Sequence, residues 1–133
     1  MRHLLTVGLS PNAPREVRHS FDQHSGQFEE SLLDDVRLLS SEIVANAVQH
    51  SGRPQGDPIT IDTVVQSDVL RVEVVDQGEG APPLNPRSST PPSGLGYVDR
   101  LSDRWSSQIG SSFQVWFEID VKTNGLIERM QAR

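Results

Sequence analysis

The feature that most constrains the fold is the alternation of mostly apolar with mostly polar residues in the second half of the chain. Three segments alternate in this way, each with one apolar row: Ile59, Ile61, Thr63 and Val65; Leu70, Val72 and Val74; and Phe113, Val115, Phe117, Ile119 and Val121. Because successive side chains of a strand point to opposite faces, each segment predicts a strand with one buried face. Ser67 and Asp68 form the predicted hairpin turn between the first two strands. A sheet that buries one face needs a second layer to cover it.

Apolar residues at helical spacing predict that second layer. The clearest set recurs every three or four residues after a capping signature at Ser31 and Asp34: Leu32, Val36, Leu39, Ile43 and Ala47. This pattern predicts a long helix that begins at the capping signature and stops at Gly52.

Shorter elements are predicted on both sides of this long helix. Residues 2–8 form a predicted edge strand, and a helix runs from an N-cap at Asn12 to about Gln23 with Val17 and Phe21 as its apolar stripe. A second short helix follows residue 96, with Val98, Leu101 and Trp105 facing the core, and Gly110 and Ser111 form the turn before the last strand.

The order of these elements predicts an α+β fold. We expect a two-layer sandwich in which a mixed, mostly antiparallel sheet is covered on one face by helices. The length of 133 residues suits a single domain. Residues 1–121 are expected to form that domain, and residues 122–133 a polar C-terminal tail that frays.

Composition excludes several classes of function. Twelve Lys and Arg against 18 Asp and Glu give a net charge of −6, so a nucleic-acid partner is not expected. With no cysteines, disulfides and thiolate metal sites are ruled out. No secretory signal or membrane-spanning apolar run is recognisable, so we expect a cytoplasmic protein without a membrane partner.

Two polar residues on the long helix are candidates for function. Glu42 and Asn46 lie four residues apart on one helical face, among largely apolar neighbours. Asn is a poor residue for a helix interior, and a buried amide must find hydrogen-bond partners. Taken alone, however, the spacing favours an amphipathic helix that turns both side chains to solvent.

A second candidate group lies after the Leu70–Val74 row. Asp76 continues that row by parity, so its carboxylate is predicted to point toward the core, where it needs a donor. The alternative is a strand-ending Asp that caps the turn at Gly78 and Gly80. A stretch rich in Gly, Pro and Ser then runs to Gly94–Leu95–Gly96, where a helix N-terminus with free N–H groups could bind an anion or simply end a linker.

Together these motifs resemble the GHKL (Bergerat-fold) ATPases, and most of all the bacterial anti-sigma-factor serine kinases, a histidine-kinase-like ATPase fold. The matching stretches are 39–51, 72–82 and 93–105, in the family's order, with a fitting last strand at 115–119. The resemblance covers about residues 10–121.

The resemblance implies roles for individual residues. Asp76 would accept a hydrogen bond from the amino group of adenine, and Gly78 and Gly80 would let the backbone close over the base. Asn46 would bind Mg2+ through its amide oxygen. The segment Gly94–Leu95–Gly96 would meet the phosphates of ATP as a lid, roughly residues 82–93, closes. Glu42 would orient and deprotonate a serine hydroxyl of a partner.

The implied function is that of an anti-sigma factor and serine/threonine-protein kinase, with a sigma factor and a STAS-domain anti-anti-sigma protein as partners, ATP and Mg2+ as cofactors, and a possible homodimer. The last matching stretch, 93–105, contains the glycine box of the family and departs from its pattern. The family often has Gly-Leu-Gly-Leu-x-x-Val there, whereas Gly96-Tyr97-Val98 makes this segment about two residues shorter. A non-catalytic, nucleotide-gated module that sequesters a transcription regulator is therefore the alternative. A sensor histidine kinase fragment fits less well, because no phosphoacceptor helix precedes the domain.

Overall fold

The structure is a computed structural model and describes residues 1–50, 54–76, 95–109 and 113–121. Two of the predicted turns, Gly52 and Gly110–Ser111, the lid at 82–93 and the tail at 122–133 lie outside the described residues. The elements follow in the order β1 (Arg2–Gly8), α1 (Ala13–Ser20), a 3-10 helix (Phe21–His24), α2 (Glu30–His50), β2 (Pro58–Gln66), β3 (Val69–Asp76), α3 (Leu95–Leu101), β4 (Arg104–Ile109) and β5 (Phe113–Asp120).

The strands form one five-stranded sheet in the order β1-β2-β3-β5-β4. Strand β5 pairs with β3 and β4, so the last strand lies inside the sheet and β4 forms an edge. One row of paired residues runs from Leu5 through Ile61 and Val74 to Val115. Every pairing in the described strands is antiparallel. The predicted α+β class is confirmed. The expected sheet was mixed and mostly antiparallel, whereas the described strands pair only in antiparallel fashion.

One face of the sheet carries the core, and the helices cover it. The apolar rows predicted on β2, β3 and β5 share a single buried cluster with residues of all three α-helices, including Val17, Ile43 and Val98. The opposite face carries charged side chains. There Arg71 lies 4.2 Å from the ring centre of Trp116 and donates to Glu118 at 3.1 Å. The sheet is therefore amphipathic, as the alternation predicts.

The hairpin between β2 and β3 forms as predicted. Ser67 and Asp68 have φ angles of 52° and 65°. Two successive residues with positive φ match the type I′ turn, whose twist suits a two-residue hairpin.

The ends of the first two helices differ from the prediction. Helix α1 ends at Ser20 rather than near Gln23, because the chain tightens into the 3-10 helix there, and the Ser20 hydroxyl donates to the Val17 carbonyl at 2.7 Å. Asn12 occupies the N-cap position, but its side chain makes no capping hydrogen bond. Helix α2 begins at Glu30, so the cap predicted at Ser31 is wrong.

The region after α3 contains a strand that periodicity did not predict. Val98 is buried, but Leu101 is 39% exposed, so its predicted core position is wrong. Trp105 lies in β4, not on a helical face, and its indole N–H donates to Asp99 at 2.9 Å. In the described part of the chain, no helix has the length and apolar character needed to cross a bilayer.

Candidate functional site

Helix α2 positions the Glu42 and Asn46 pair. Asn46 is 2% exposed, between the fully buried Ile43 and the buried Ala47. Glu42 lies one turn earlier and is only partly buried. The interpretation that both side chains face solvent is therefore wrong for Asn46. An amide held inside an apolar helix interface costs free energy unless it is bonded, which marks Asn46 as more than a surface residue.

Strand β3 positions Asp76. Its carboxylate is fully buried, on the same side of the strand as the buried Val72 and Val74. The prediction that this side chain points toward the core is confirmed. Asp76 is the last residue of β3, and its neighbours across the sheet are Ile59 on β2 and Phe113 on β5. The carboxylate thus lies at the end of a central strand, with an apolar residue of β2 beside it.

The two polar positions lie on elements that touch. Helix α2 packs against both β3 and α3. The long helix with Asn46, the strand that ends in Asp76, and the short helix after the glycine box therefore form one neighbourhood. Residues 77–94, which join β3 to α3, lie outside the described residues.

Helix α3 positions two further predicted residues. Leu95 is the first residue of this helix and is 1% exposed, so its side chain anchors the helix in the core. Gly96 follows, and its carbonyl accepts a hydrogen bond from Arg100 at 3.4 Å. Gly78, Gly80 and Gly94, the other predicted glycines, lie outside the described residues. Their roles, like those of Glu42, Asn46, Asp76, Leu95 and Gly96, stay predictions.

The polar groups of the site suit a cation that is held mainly by substrate phosphates and water, with few protein ligands. In the ranges the structure describes, no group of three or more His, Cys, Asp or Glu is placed to hold a metal. A single buried amide oxygen, from Asn46, suits Mg2+, which keeps much of its hydration and is usually bound through few protein ligands and substrate phosphates. Zn2+, which needs three or four nitrogen or sulfur ligands, would find no such set in these ranges.

Other buried polar side chains were not among the functional residues that the sequence predicted. His3 is 7% exposed, and Ser40, Ser41 and Thr63 are between 0% and 3% exposed. The hydroxyls of Ser40 and Thr63 have no hydrogen-bond partner among the described residues. The parity that singled out Asp76 would have found His3 and Thr63, because both lie in the inward rows of their strands.

Comparisons with known proteins point to one family. Residues 9–110 match the model of the histidine kinase-like ATPase domain. Among characterised proteins, an anti-sigma F factor of Clostridium acetobutylicum is 40% identical over 48 residues, which is 36% of this chain and 34% of that protein. The aligned segment thus spans about a third of the relative's length.

Solved structures share the fold. The crystal structure of the RsbU and RsbW domains of a Mycobacterium tuberculosis protein superposes with a TM-score of 0.72 over 90% of this chain and 32% of that one, at 18% identity. The histidine kinase domain of a blue-light-activated histidine kinase from Erythrobacter litoralis gives a TM-score of 0.55 over 69% of this chain and 48% of that one, at 27% identity.

Proposed function

The chain belongs to the histidine kinase-like ATPase domain family, and from this premise we propose that it binds ATP and acts as a bacterial anti-sigma factor and serine kinase. The observation that carries the proposal is the fully buried carboxylate of Asp76 at the end of β3. A buried carboxylate in that position can accept hydrogen bonds, and the amino group of adenine is a donor of the right kind. We further propose that residues 1–121 act as one ATP-binding domain.

Adenine would be recognised at the β3 end of the site. Asp76 accepts from the amino group, and this selects ATP over GTP, which presents a carbonyl oxygen at the same position of the ring. Gly78 and Gly80 let the backbone approach the flat base, since they carry no Cβ.

The phosphates would be bound between α2 and α3. Asn46 supplies the amide oxygen for Mg2+, and that ion would neutralise phosphate charge when it is bound. Leu95 anchors the start of α3 in the core, and the backbone N–H groups of Gly94 and Gly96 face the phosphates.

The kinase step would use Glu42. It is one helical turn from Asn46 and partly exposed, which suits a side chain that must reach a partner's serine hydroxyl. Phosphoryl transfer depends mainly on positioning and on charge neutralisation. Glu42 orients the serine hydroxyl and accepts its proton, and the serine oxygen takes the terminal phosphoryl group of ATP while ADP leaves.

The relatives support a proposal for the partners. One relative is an anti-sigma F factor, and a fold neighbour contains an RsbW domain. We propose a sigma factor as the sequestered partner and a STAS-domain anti-anti-sigma protein as the phosphorylated one. The shortened glycine box at Gly96-Tyr97-Val98 favours a second candidate, a module that binds nucleotide and sequesters its partner without transferring phosphate.

Two measurements test these proposals. Calorimetry with ATP, ADP and GTP, with and without Mg2+, is expected to show Mg2+-dependent binding that prefers adenine. Labelled ATP is then incubated with the protein and each STAS-domain protein of the source genome. We expect label on serine with the natural protein and none with Glu42→Gln, because the amide cannot accept the proton.

Glu16→Gln, the same change at an exposed position of α1, is the matched control and should transfer phosphate normally. Binding of ATP without any transfer by the natural protein would leave the sequestering module as the function. Failure to bind ATP at all would remove both proposals.

A further inference from the structure

Two histidines from separate elements meet at the start of the fold. His3 lies on the inward face of β1 and is 7% exposed. Its ring centre is 5.0 Å from that of Phe21 and 4.9 Å from that of His24, which meets it edge-on at 80°. His24 Nε2 and His3 Nδ1 are 3.0 Å apart. The contact joins an edge strand to the 3-10 helix that leads into α2.

The hydrogen bonds around His3 settle which of its nitrogens carries a proton. The Ser20 hydroxyl donates its one proton to the Val17 carbonyl at 2.7 Å. His3 Nε2, which lies 3.2 Å from the same hydroxyl oxygen, must therefore donate to it. The amide nitrogen of Gln23 can only donate, and it lies 3.2 Å from His3 Nδ1, so His3 Nδ1 is an acceptor and the His3 ring is neutral.

The hydrogen bonds of His24 place a proton on each of its two ring nitrogens. Its Nε2 donates to His3 Nδ1, because that nitrogen is an acceptor. Its Nδ1 lies 2.8 Å from Gln27 Oε1, a carbonyl oxygen that can only accept. A histidine that donates from both ring nitrogens is an imidazolium. Together, His3 and His24 therefore carry one proton more than two neutral imidazole rings.

We propose that His3 and His24 form a one-proton clasp between β1 and the 3-10 helix, which a second proton opens. The first proton sits on His24 and is shared with His3 Nδ1. The second proton can go only to His3 Nδ1, where it removes the acceptor and places two cations side by side. This pH-sensitive device is independent of the nucleotide site and of the proposed function.

The electrostatics of His3 agree with this order of protonation. Burial lowers the pKa of His3 below 6.5, and the neighbouring His24 lowers it further. Because the unfolded chain takes up this proton more readily, stability is lost as the pH falls from about 6.5 toward the lower folded value. The clasp therefore opens as the pH falls toward the lowered pKa of His3.

Other titratable groups surround the clasp. Met1 carries the amino terminus two residues from His3, and Thr63 is the uncharged neighbour of His3 on β2. Ion pairs on the packed elements join Arg2 with Asp62, Asp22 with His19 and Arg37, and Arg37 with Glu30 and Asp34. His19 is a further histidine beside these pairs, so its signals have to be separated from those of the clasp by a variant.

Nitrogen NMR of the histidine rings in the full chain tests the order of protonation directly. In the closed clasp we expect His3 to be neutral with its proton on Nε2, and both ring nitrogens of His24 to carry a proton. As the pH falls, His3 takes up its second proton, and amides of β1 and the 3-10 helix lose hydrogen-exchange protection while those of β3 and β5 keep theirs. A proton on His3 Nδ1 in the closed clasp, or protonation of His3 without loss of protection, would overturn the proposal.

A pair of matched variants tests the coupling. His24→Gln removes the neighbouring cation, so His3 is expected to take up its proton at a pH about one unit higher. Its loss of stability in acid, measured as the urea midpoint against pH, should shrink accordingly. His19→Gln is the control, since it removes an exposed histidine of α1 that contacts Asp22. An unchanged His3 titration in His24→Gln would refute the clasp.

Discussion

The replacement Asp76→Asn is the sharpest test of the nucleotide site, because it changes charge at constant size. Asp76 is fully buried, so solvent would not screen a hydrogen bond that its carboxylate accepts from the adenine amino group. Hydrogen bonds to charged groups are worth about 1.5–3 kcal/mol. At about 1.4 kcal/mol per factor of ten, ATP affinity should fall roughly 10- to 150-fold. The preference for ATP over GTP should decrease, because the Asn amide can donate to the ring carbonyl of guanine.

The assay is calorimetry of the folded variant with ATP and GTP in Mg2+, after circular dichroism has shown that the fold is intact. Asp62→Asn is the matched control. Asp62 lies on β2 with its side chain on the opposite, charged face of the sheet, where it accepts from Arg2 at 3.0 Å. That variant loses a surface ion pair, worth about 1 kcal/mol or less in stability, and should bind ATP like the natural protein.

One result would refute the reasoning. If folded Asp76→Asn binds ATP with unchanged affinity, the carboxylate does not meet the base, and Asp76 only ends its strand. If both Asp variants weaken ATP binding equally, the effect is one of net charge and not of a specific hydrogen bond.

Two stability predictions concern other buried or paired groups. Thr63→Val should raise the free energy of unfolding, measured by urea denaturation, by about 1 kcal/mol, because it removes a fully buried hydroxyl that has no partner among the described residues. A lower free energy of unfolding would show that the hydroxyl is bonded, for example to a water in the adjoining cavity of about 10 Å³. Arg104 and Arg71 lower the pKa of Glu118, so the charged carboxylate stabilises the fold above the unfolded carboxyl pKa, and this contribution decreases as the pH falls through the lowered pKa. Glu118→Gln should therefore cost about 1 kcal/mol at pH 7 and less at pH 3, and an equal cost at both pH values would contradict the ion-pair explanation.

Side-chain parity explains why the sheet could be predicted. Strands β2, β3 and β5 each bury one face, so their sequences carry the period of two that the structure shows. Parity also gave the orientation of Asp76, since the residue simply continues the row of Val72 and Val74. Helix α2 was predictable for the same reason, because one stripe of it packs on the sheet.

The rest could not be predicted because the local sequence carries no such period. Strand β4 lies at an edge and reads Ser106-Ser107-Gln108 in its middle, with no apolar row to reveal it. The end of α1 depends on the Ser20 hydroxyl, which turns back to the Val17 carbonyl. The helix start at Glu30 is fixed by the backbone bond from Leu33 to the Glu29 carbonyl, although Ser31 has the better capping side chain.

The buried polar residues of the described sheet lie at two ends of its inward face. His3 and Thr63 are neighbours across β1 and β2, whereas Asp76 pairs with Ile59. Residues 59 and 63 of β2 are four apart, or about 13 Å at the rise of a strand. Ile61 lies between them and is fully buried, so apolar core separates the clasp from the nucleotide site. This distance along β2 separates the clasp from the end of the sheet that carries Asp76. If a change at His24 altered ATP affinity, we would expect the effect to pass through α2, the helix that follows the clasp and carries Asn46.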